Sequence, residues 1–496
     1  EIDLSDYFLS DDRKEPQKFQ LPEVKLKAGG YYAFFCTEAL DECHTGFKLS
    51  AGGERIYLSH KKQGIVDVLN VPPVTVDLSY GRKGGVPGYF AVPTLGKAND
   101  TLYSAVAERP VLSVPSRGDC KEPFTVEVTG QGPFYYTLDG SVPTAASRKY
   151  TKPIAIKDTA ILRVAALPEG AAPSLPVTAV YRFDTRKYTL PTVTVSVDPD
   201  YLTNQTDGLL LHVKDRELEV PAVITFLEAD GALLFSQDCG LSIAGQTSRS
   251  LKNRGWKISF SHKYGKDTLD CPVFEDGDAA SFDSLVLRLG TSGIAIYDIM
   301  GTALGKDECP QVLCQRYRPV NLFIGSAYYG VYYLREHVNA NFVANHLGGT
   351  EKQADIVYFA EETKAGSGED WLSLVDFCRK NDLSVQKNYE FVEKQIDVMS
   401  FIDYFIWRPY TGDSDHPNIR YVRSRGGDRK WRIVIYDMDW AFQNKERKIG
   451  LDKYAYKLYD DQNQQRGDLW PPAERGLPAA VPGAAFLPYA AYLCAG

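Results

Sequence analysis

Oxygen-bearing side chains are concentrated between Thr411 and Phe442, in the stretch TGDSDHPNIRYVRSRGGDRKWRIVIYDMDWAF. Asp413, Asp415 and Asn418 fall in a loop punctuated by Gly412 and Pro417, and Asp437 and Asp439 follow an apolar run. Magnesium is a hard cation, usually held by one or two carboxylates together with substrate phosphates. No His/Cys ligand set accompanies these acids, which argues against zinc. A loop Asp and Asn followed by a strand-end Asp is also the layout of phosphoryl-transfer sites, where one Asp orients the acceptor hydroxyl and the Asn and second Asp hold metal. The competing reading is a set of ordinary acids in surface turns.

Such residues need elements to hold them. Trp431, Ile433 and Ile435 alternate with Arg432 and Val434, which predicts a buried strand with Asp437 and Asp439 at its end, two residues apart and on one face. Upstream, VMSFIDYFIW is expected to be a helix capped by Asp397 that stops before Pro409 and leads into the acidic loop. A second helix, capped by Ser367, is predicted from Trp371, Leu374, Val375 and Cys378 at i, i+3, i+4 and i+7. The segment GQTSRSLKNRGWKISF from Gly245 supplies Arg249, Lys252, Arg254 and Lys257. On a strand, Trp256, Ile258 and Phe260 would face the core while Lys257 faces a cleft, where it would hold phosphate as a point charge. A solvated basic face on an edge strand is the alternative. The run YYGVYYLRE reads as two strand halves around Gly330, with Glu336 where the chain leaves the sheet.

These motifs together resemble the CotH (spore coat protein H) kinase family. The acidic loop and the Trp-x-…-Asp-x-Asp strand match its signature. GQTSRSLKNRGWKISF, FDSLVLRLG from Phe282, YRPVNLFIGSAYYGVYYLREHVN from Tyr317 and FIDYFIW from Phe401 follow in the family's order. The likeness runs from Leu190 to Phe442 and implies an atypical protein-kinase-like domain. It implies ATP and Mg2+ as cofactors, Asp415 as the residue orienting the acceptor, and Asn418 and Asp437 as metal ligands supported by Asp439. It also implies Arg249, Arg254, Lys257 and Glu336 as nucleotide-binding, with an ion pair to Arg335 or a neighbour as the other part open to Glu336. Departures from the pattern are Leu289, Tyr297 and Asp413. Losing a phosphate-binding cation would cost about 1–3 kcal/mol of nucleotide affinity, and the added carboxylate of Asp413 would repel its neighbours unless metal is bound.

Two β-rich stretches precede this domain. Residues 1–104 alternate short apolar runs with turns, as an all-β sandwich would, and resemble the lamin-tail domain in EIDLSDYFLSDD, AGGYYAFF and VDLSYGRKGGVPGYFAVPTLGKAN, without the family's opening strand pair. Residues 105–186 resemble the Ig-like domain at the C-terminus of chitobiases and hexosaminidases, through YYTLDGS from Tyr135 and the following Pro143-Thr144. Its Asp139-Gly140 turn depends on glycine's tolerance of positive φ. The expected fold is therefore multidomain: two all-β Ig-like sandwiches, then an α+β kinase-like domain over 187–468. From Leu469 the composition changes abruptly to a tail rich in Pro and Ala, read here as the product of a reading-frame shift.

Composition narrows the function classes. The 496 residues carry a net charge of −8 without a long basic run, which excludes the usual nucleic-acid binder. The prolines of the uncharged tail argue against a membrane span. Nine cysteines show no CxxC pair and are expected as thiols, although Cys309 and Cys314 are close enough in sequence to bridge. The combined expectation is a secreted or surface bacterial protein, its signal peptide absent from this sequence, that phosphorylates Ser or Thr of a protein substrate. The competing class is a surface protein that has lost catalysis and meets cell wall or carbohydrate through its β-modules.

Overall fold

The computed structural model describes residues 1–442 except 38–40, 42, 77, 184–187, 246, 253, 275–280, 291–292, 360–361 and 414–417, with 247 and 293–295 described by backbone alone. Asp415 and the tail from Leu469 lie outside the described residues. By packing, the chain forms two compact units, Glu1–Leu269 with Val320–Gly330, and Asp270–Pro319 with Val331–Gly496.

The first unit is built of β modules. Strands Phe19–Gln20, Tyr7–Ser10, Glu54–His60 and Gly64–Val71 form one antiparallel sheet, packed over Leu4, Phe19, Leu21 and Phe47. A second module pairs Arg148–Lys149, Phe134–Thr137, Ala160–Ala166 and Val177–Tyr181, and closes on Val126, Ile154, Ile156, Leu162 and Val164. Its turn behaves as the sequence predicts: Gly140 has φ 86°, and the Asp139 carboxylate accepts from the Ser141 amide at 3.1 Å. Thr192–Val197, Val220–Leu227, Leu233–Ala244 and Gly255–Ser259 then run antiparallel in order. Every residue of Thr192–Val197 is buried, so this strand is covered on both faces.

The second unit is α+β. Its five-stranded sheet runs Leu313–Cys314, Arg432–Ile435, Arg420–Ser424, Ala354–Tyr358, Glu362–Ala365. Strand alternation divides its apolar residues between two cores. Trp431, Ile433, Ile435 and Tyr421 join Trp371, Phe401 and Trp407 on one side, while Val434, Val422 and Ile356 meet Phe342 and Val343 on the other. A strand covered on both faces can present polar chemistry only beyond its ends. The two β-sandwich modules followed by an α+β domain are thus the architecture the sequence predicts.

Several local expectations change. The N-cap of helix Glu369–Lys380 is Gly368 rather than Ser367, whose Oγ one residue earlier accepts from the Glu369 amide at 3.2 Å, and the helix buries Trp371, Leu374 and Val375. Asp397 caps helix Val398–Thr411 by accepting from Ser400 N–H at 3.1 Å. That helix does not stop before Pro409 but runs through it to Thr411 and closes on Gly412 at φ 66°. Proline removes its own N–H, yet Thr411 Oγ1 and the Gly412 amide both donate to the Arg408 carbonyl, which keeps the last turn wound. Ala327–Glu336 is one continuous strand despite Gly330 at φ 112°. Cys309 and Cys314 are buried thiols rather than a disulfide, and burial pushes them up to about 11 and about 12. No helix among the described residues is long and apolar enough to cross a membrane.

Candidate active site

The acidic site lies just beyond strand Arg432–Ile435, and strand alternation alone does not form it. The strand ends at Ile435, and Asp437 adopts φ 59°, a left-handed conformation that Asp tolerates better than most residues. Met438, fully buried between the two acids, donates its N–H to Asp298 Oδ1 at 2.9 Å. Asp437 and Asp439 therefore do point to one place, but a tight turn held by Asp298 puts them there.

That place is occupied by a guanidinium. Arg288 Nη2 hydrogen-bonds Asp437 Oδ1 and reaches Asp439 Oδ2 at 3.1 Å, while its Nε lies 3.2 Å from Asp298 Oδ2. Its position follows from the strand: in Ser284–Leu289, Leu285 and Leu287 are fully buried, and Arg288 alternates to the other face. Across the ladder Val286 faces Arg335, so the two arginines are diagonal neighbours on one face. Arg335 Nη1 completes the cluster at 2.9 Å from Asp298 Oδ2. Burial works against an ionised Asp298, but Arg288 and Arg335 outweigh it and hold the carboxyl below its usual value. Burial likewise opposes the charge on Arg288, and Asp298, Asp437 and Asp439 together raise its pKa.

Asn418 is the third expected metal ligand and meets the same acids. Its Nδ2 donates to Asp437 Oδ2 at 2.9 Å, and its Oδ1 accepts from the Tyr358 hydroxyl at 2.9 Å. Its carbonyl accepts from Arg408 Nη1 at 3.1 Å. Arg408 is completely buried and also pairs with Asp413, Nε to Oδ2 at 2.6 Å. The Asp413 carboxylate is thus neutralised by Arg408 within the fold, so the expected repulsion relieved only by metal does not arise. Nor are the acids short of positive charge, since Arg288 and Arg335 supply it.

The remaining candidates divide. Glu336 is buried, takes the Arg316 guanidinium at 2.7 Å and lies 3.1 Å from His346 Nε2. Of its two expected parts the ion pair is the one formed, with Arg316 and His346 as partners, while Arg335 turns to Asp298. Arg249 is also buried, and its guanidinium donates to the carbonyls of Val213, Ile243 and Asp215. Those donors hold the chain's own backbone. Lys257 lies opposite Ser242, half-buried, on the face away from Trp256 and Ile258, and Arg254 is half-buried just before the same strand. These three basic residues belong to the first compact unit and the carboxylates to the second.

Residues 241–473 match the model of the CotH kinase protein family, a stretch that includes both the basic segment and the acidic turn. The chain carries a CotH kinase domain. Residues 115–178 match the chitobiase/beta-hexosaminidase C-terminal domain, in agreement with the YYTLDGS turn. No curated protein matches the chain.

Within the CotH domain the site is organised by Arg288, Asp298 and Arg335, to which motif reading gives no part in the site, taking Arg335 only as a candidate partner of Glu336. A signal for Arg288 exists: in LVLRL, a charge alternating with core leucines has to emerge on the opposite face. Asp298 carries no local signal, because its partners are Arg288, Arg335 and the Met438 amide, all distant in sequence.

Proposed function

We propose that the CotH domain is a magnesium-dependent phosphotransferase that moves the γ-phosphate of ATP to a Ser or Thr hydroxyl of a protein. The observation that carries this reading is the convergence of Asp437 and Asp439 on a single cationic group, with Asn418 held against Asp437. The donor set suits magnesium: the carboxylate oxygens are hard and the two side chains are 20% and 24% exposed, while Asn418 beside them presents Nδ2 to Asp437 and Oδ1 to Tyr358, so its amide must turn over to offer the ion an oxygen. Asp437, Asp439 and Asn418 would hold the ion, leaving its other positions to phosphate and water. Bound there, magnesium would neutralise charge developing on the transferred phosphoryl group. Tyr358 orients Asn418 through its hydroxyl, and Asp298 fixes the turn. Asp415 is the residue proposed to orient the acceptor hydroxyl, and Arg254 and Lys257 to bind phosphate. Arg249 and Glu336, whose polar groups are committed within the fold, receive structural parts instead. The β modules, one of them matching a domain of sugar-processing enzymes, suit a secreted or surface setting and a spacer or carbohydrate-contacting part.

The test is ATP binding by the full chain, with and without magnesium, alongside Asp437→Ala. Binding that requires magnesium and disappears in the variant is expected. A folded wild-type chain that binds no ATP in either condition overturns the reading. A second reading, a CotH domain that has lost catalysis, draws on the fact that Arg288 already neutralises the acids. Carbohydrate affinity without magnesium-dependent ATP binding would favour it.

A further inference from the structure

We propose that Arg288 is the resident counter-cation of the Asp437–Asp439 pair, that a divalent ion must displace it, and that the displaced guanidinium, still held by Asp298, turns to the nucleotide phosphates. The proposal rests on the magnesium reading above and adds a competitor for the metal's place. Its basis is the division of labour around one side chain. Nη2 serves the two partly exposed acids, Asp437 and Asp439, whereas Nε faces the buried Asp298. Asp298 is anchored independently by Arg335 and by the Met438 amide, so it stays in place when the Nη2 contacts are given up. Asp437 also has Asn418 as a partner.

Charge then dictates order. A divalent ion and a guanidinium cannot share two carboxylates without repulsion, and an anion between them relieves it. Phosphate is that anion, and arginine's planar fork suits it. Metal and nucleotide therefore bind with positive coupling, each strengthening the other by the same factor. The wild-type chain should bind magnesium alone weakly and magnesium with ATP well. Without Arg288 the acids lose their internal cation, so metal alone binds more tightly while the nucleotide loses a phosphate partner.

The experiment is calorimetric titration of the full chain with magnesium alone, and then with magnesium plus a non-hydrolysable ATP analogue, for wild type, Arg288→Met and Arg288→Lys. Arg288→Met is expected to bind magnesium alone about tenfold more tightly, to bind the analogue about tenfold more weakly, and to lose the coupling. Arg288→Lys, which keeps the charge, should stay close to wild type for metal alone. Metal affinity that is unchanged or weaker in Arg288→Met, in a chain that still binds magnesium and the analogue, overturns the counter-cation and leaves the phosphotransfer reading standing. No magnesium or analogue bound by any variant overturns both. If Arg288→Met does not fold, Arg288→Met/Asp439→Asn, relieved of one of the facing charges, must recover the fold. Failure to recover also overturns the proposal.

Discussion

The CotH domain contains two kinds of acid–arginine cluster, and the contrast between them separates architecture from chemistry. At Arg408–Asp413 both side chains are wholly inaccessible, and at Glu336–Arg316–His346 the carboxylate is 2% exposed. Each of these carboxylates has its partners supplied by the fold and leaves no room for a ligand. At Asp437–Asp439 the same chemistry is left half open, and a single arginine divides itself among three carboxylates. Ion pairs therefore do not mark function by their presence. What distinguishes the second kind is a charge that can be exchanged for another without opening the core.

Substitutions can break or sharpen this contrast. The largest loss of stability is expected from Arg408→Met, which leaves Asp413 buried without its partner and should cost about 3–5 kcal/mol in denaturant unfolding. Glu336→Gln should cost about 1–3 kcal/mol and leave magnesium-dependent ATP binding intact in the folded protein. It also carries a pH signature. Burial raises the Glu336 carboxyl, but His346 and Arg316 outweigh this and hold it below its usual 4.5. Its contribution is therefore fully present above that usual value and lost as the pH falls through the lower folded one. Thermal midpoints measured across the acid range should show a limb that Glu336→Gln flattens. Asp437→Asn is expected to change stability by less than about 1 kcal/mol, because it removes one of the three charges gathered on Arg288, yet to abolish magnesium-dependent ATP binding. The smallest effect on stability belongs to Lys257→Ala, within about 0.5 kcal/mol, accompanied by a several-fold loss of ATP affinity measured in the same titration. Equal losses of binding in Glu336→Gln and Asp437→Asn would erase the distinction altogether.

Much of this was legible in the sequence where the argument was local. Alternation around Trp431, Ile433 and Ile435 predicts the buried strand, and Asp397 announces its helix, whereas Ser367 falls one residue short of the cap at Gly368. The convergence of Asp437 and Asp439 was also foreseen, though for the wrong reason: the register of a strand was expected, and a left-handed residue past its end does the work. That turn depends on Asp298, brought to it from the distant helix Gly293–Glu308, and no local pattern encodes such a partner. Pro409 misled because helix interiors usually exclude proline, whereas here Thr411 and Gly412 close the final turn. Asp413 looked like an added ligand because sequence shows a charge without its partner, and Arg408, one helical turn earlier, neutralises it. Arg249 shares the spacing of a phosphate-binding residue, yet its neighbours left three backbone carbonyls in need of donors.

Met438 links the accessible acids to the interior. Its side chain is fully buried, its amide is held by Asp298, and a Cβ added at Gly301 would come within 2.8 Å of its own Cβ. The backbone between the two acids cannot swing outward without emptying part of the core. In hydrogen-exchange terms, the Met438 amide should therefore exchange on the timescale of global opening, although the carboxylates on either side of it are in contact with water. A site placed this way inherits the rigidity of the domain while remaining open to its ligand.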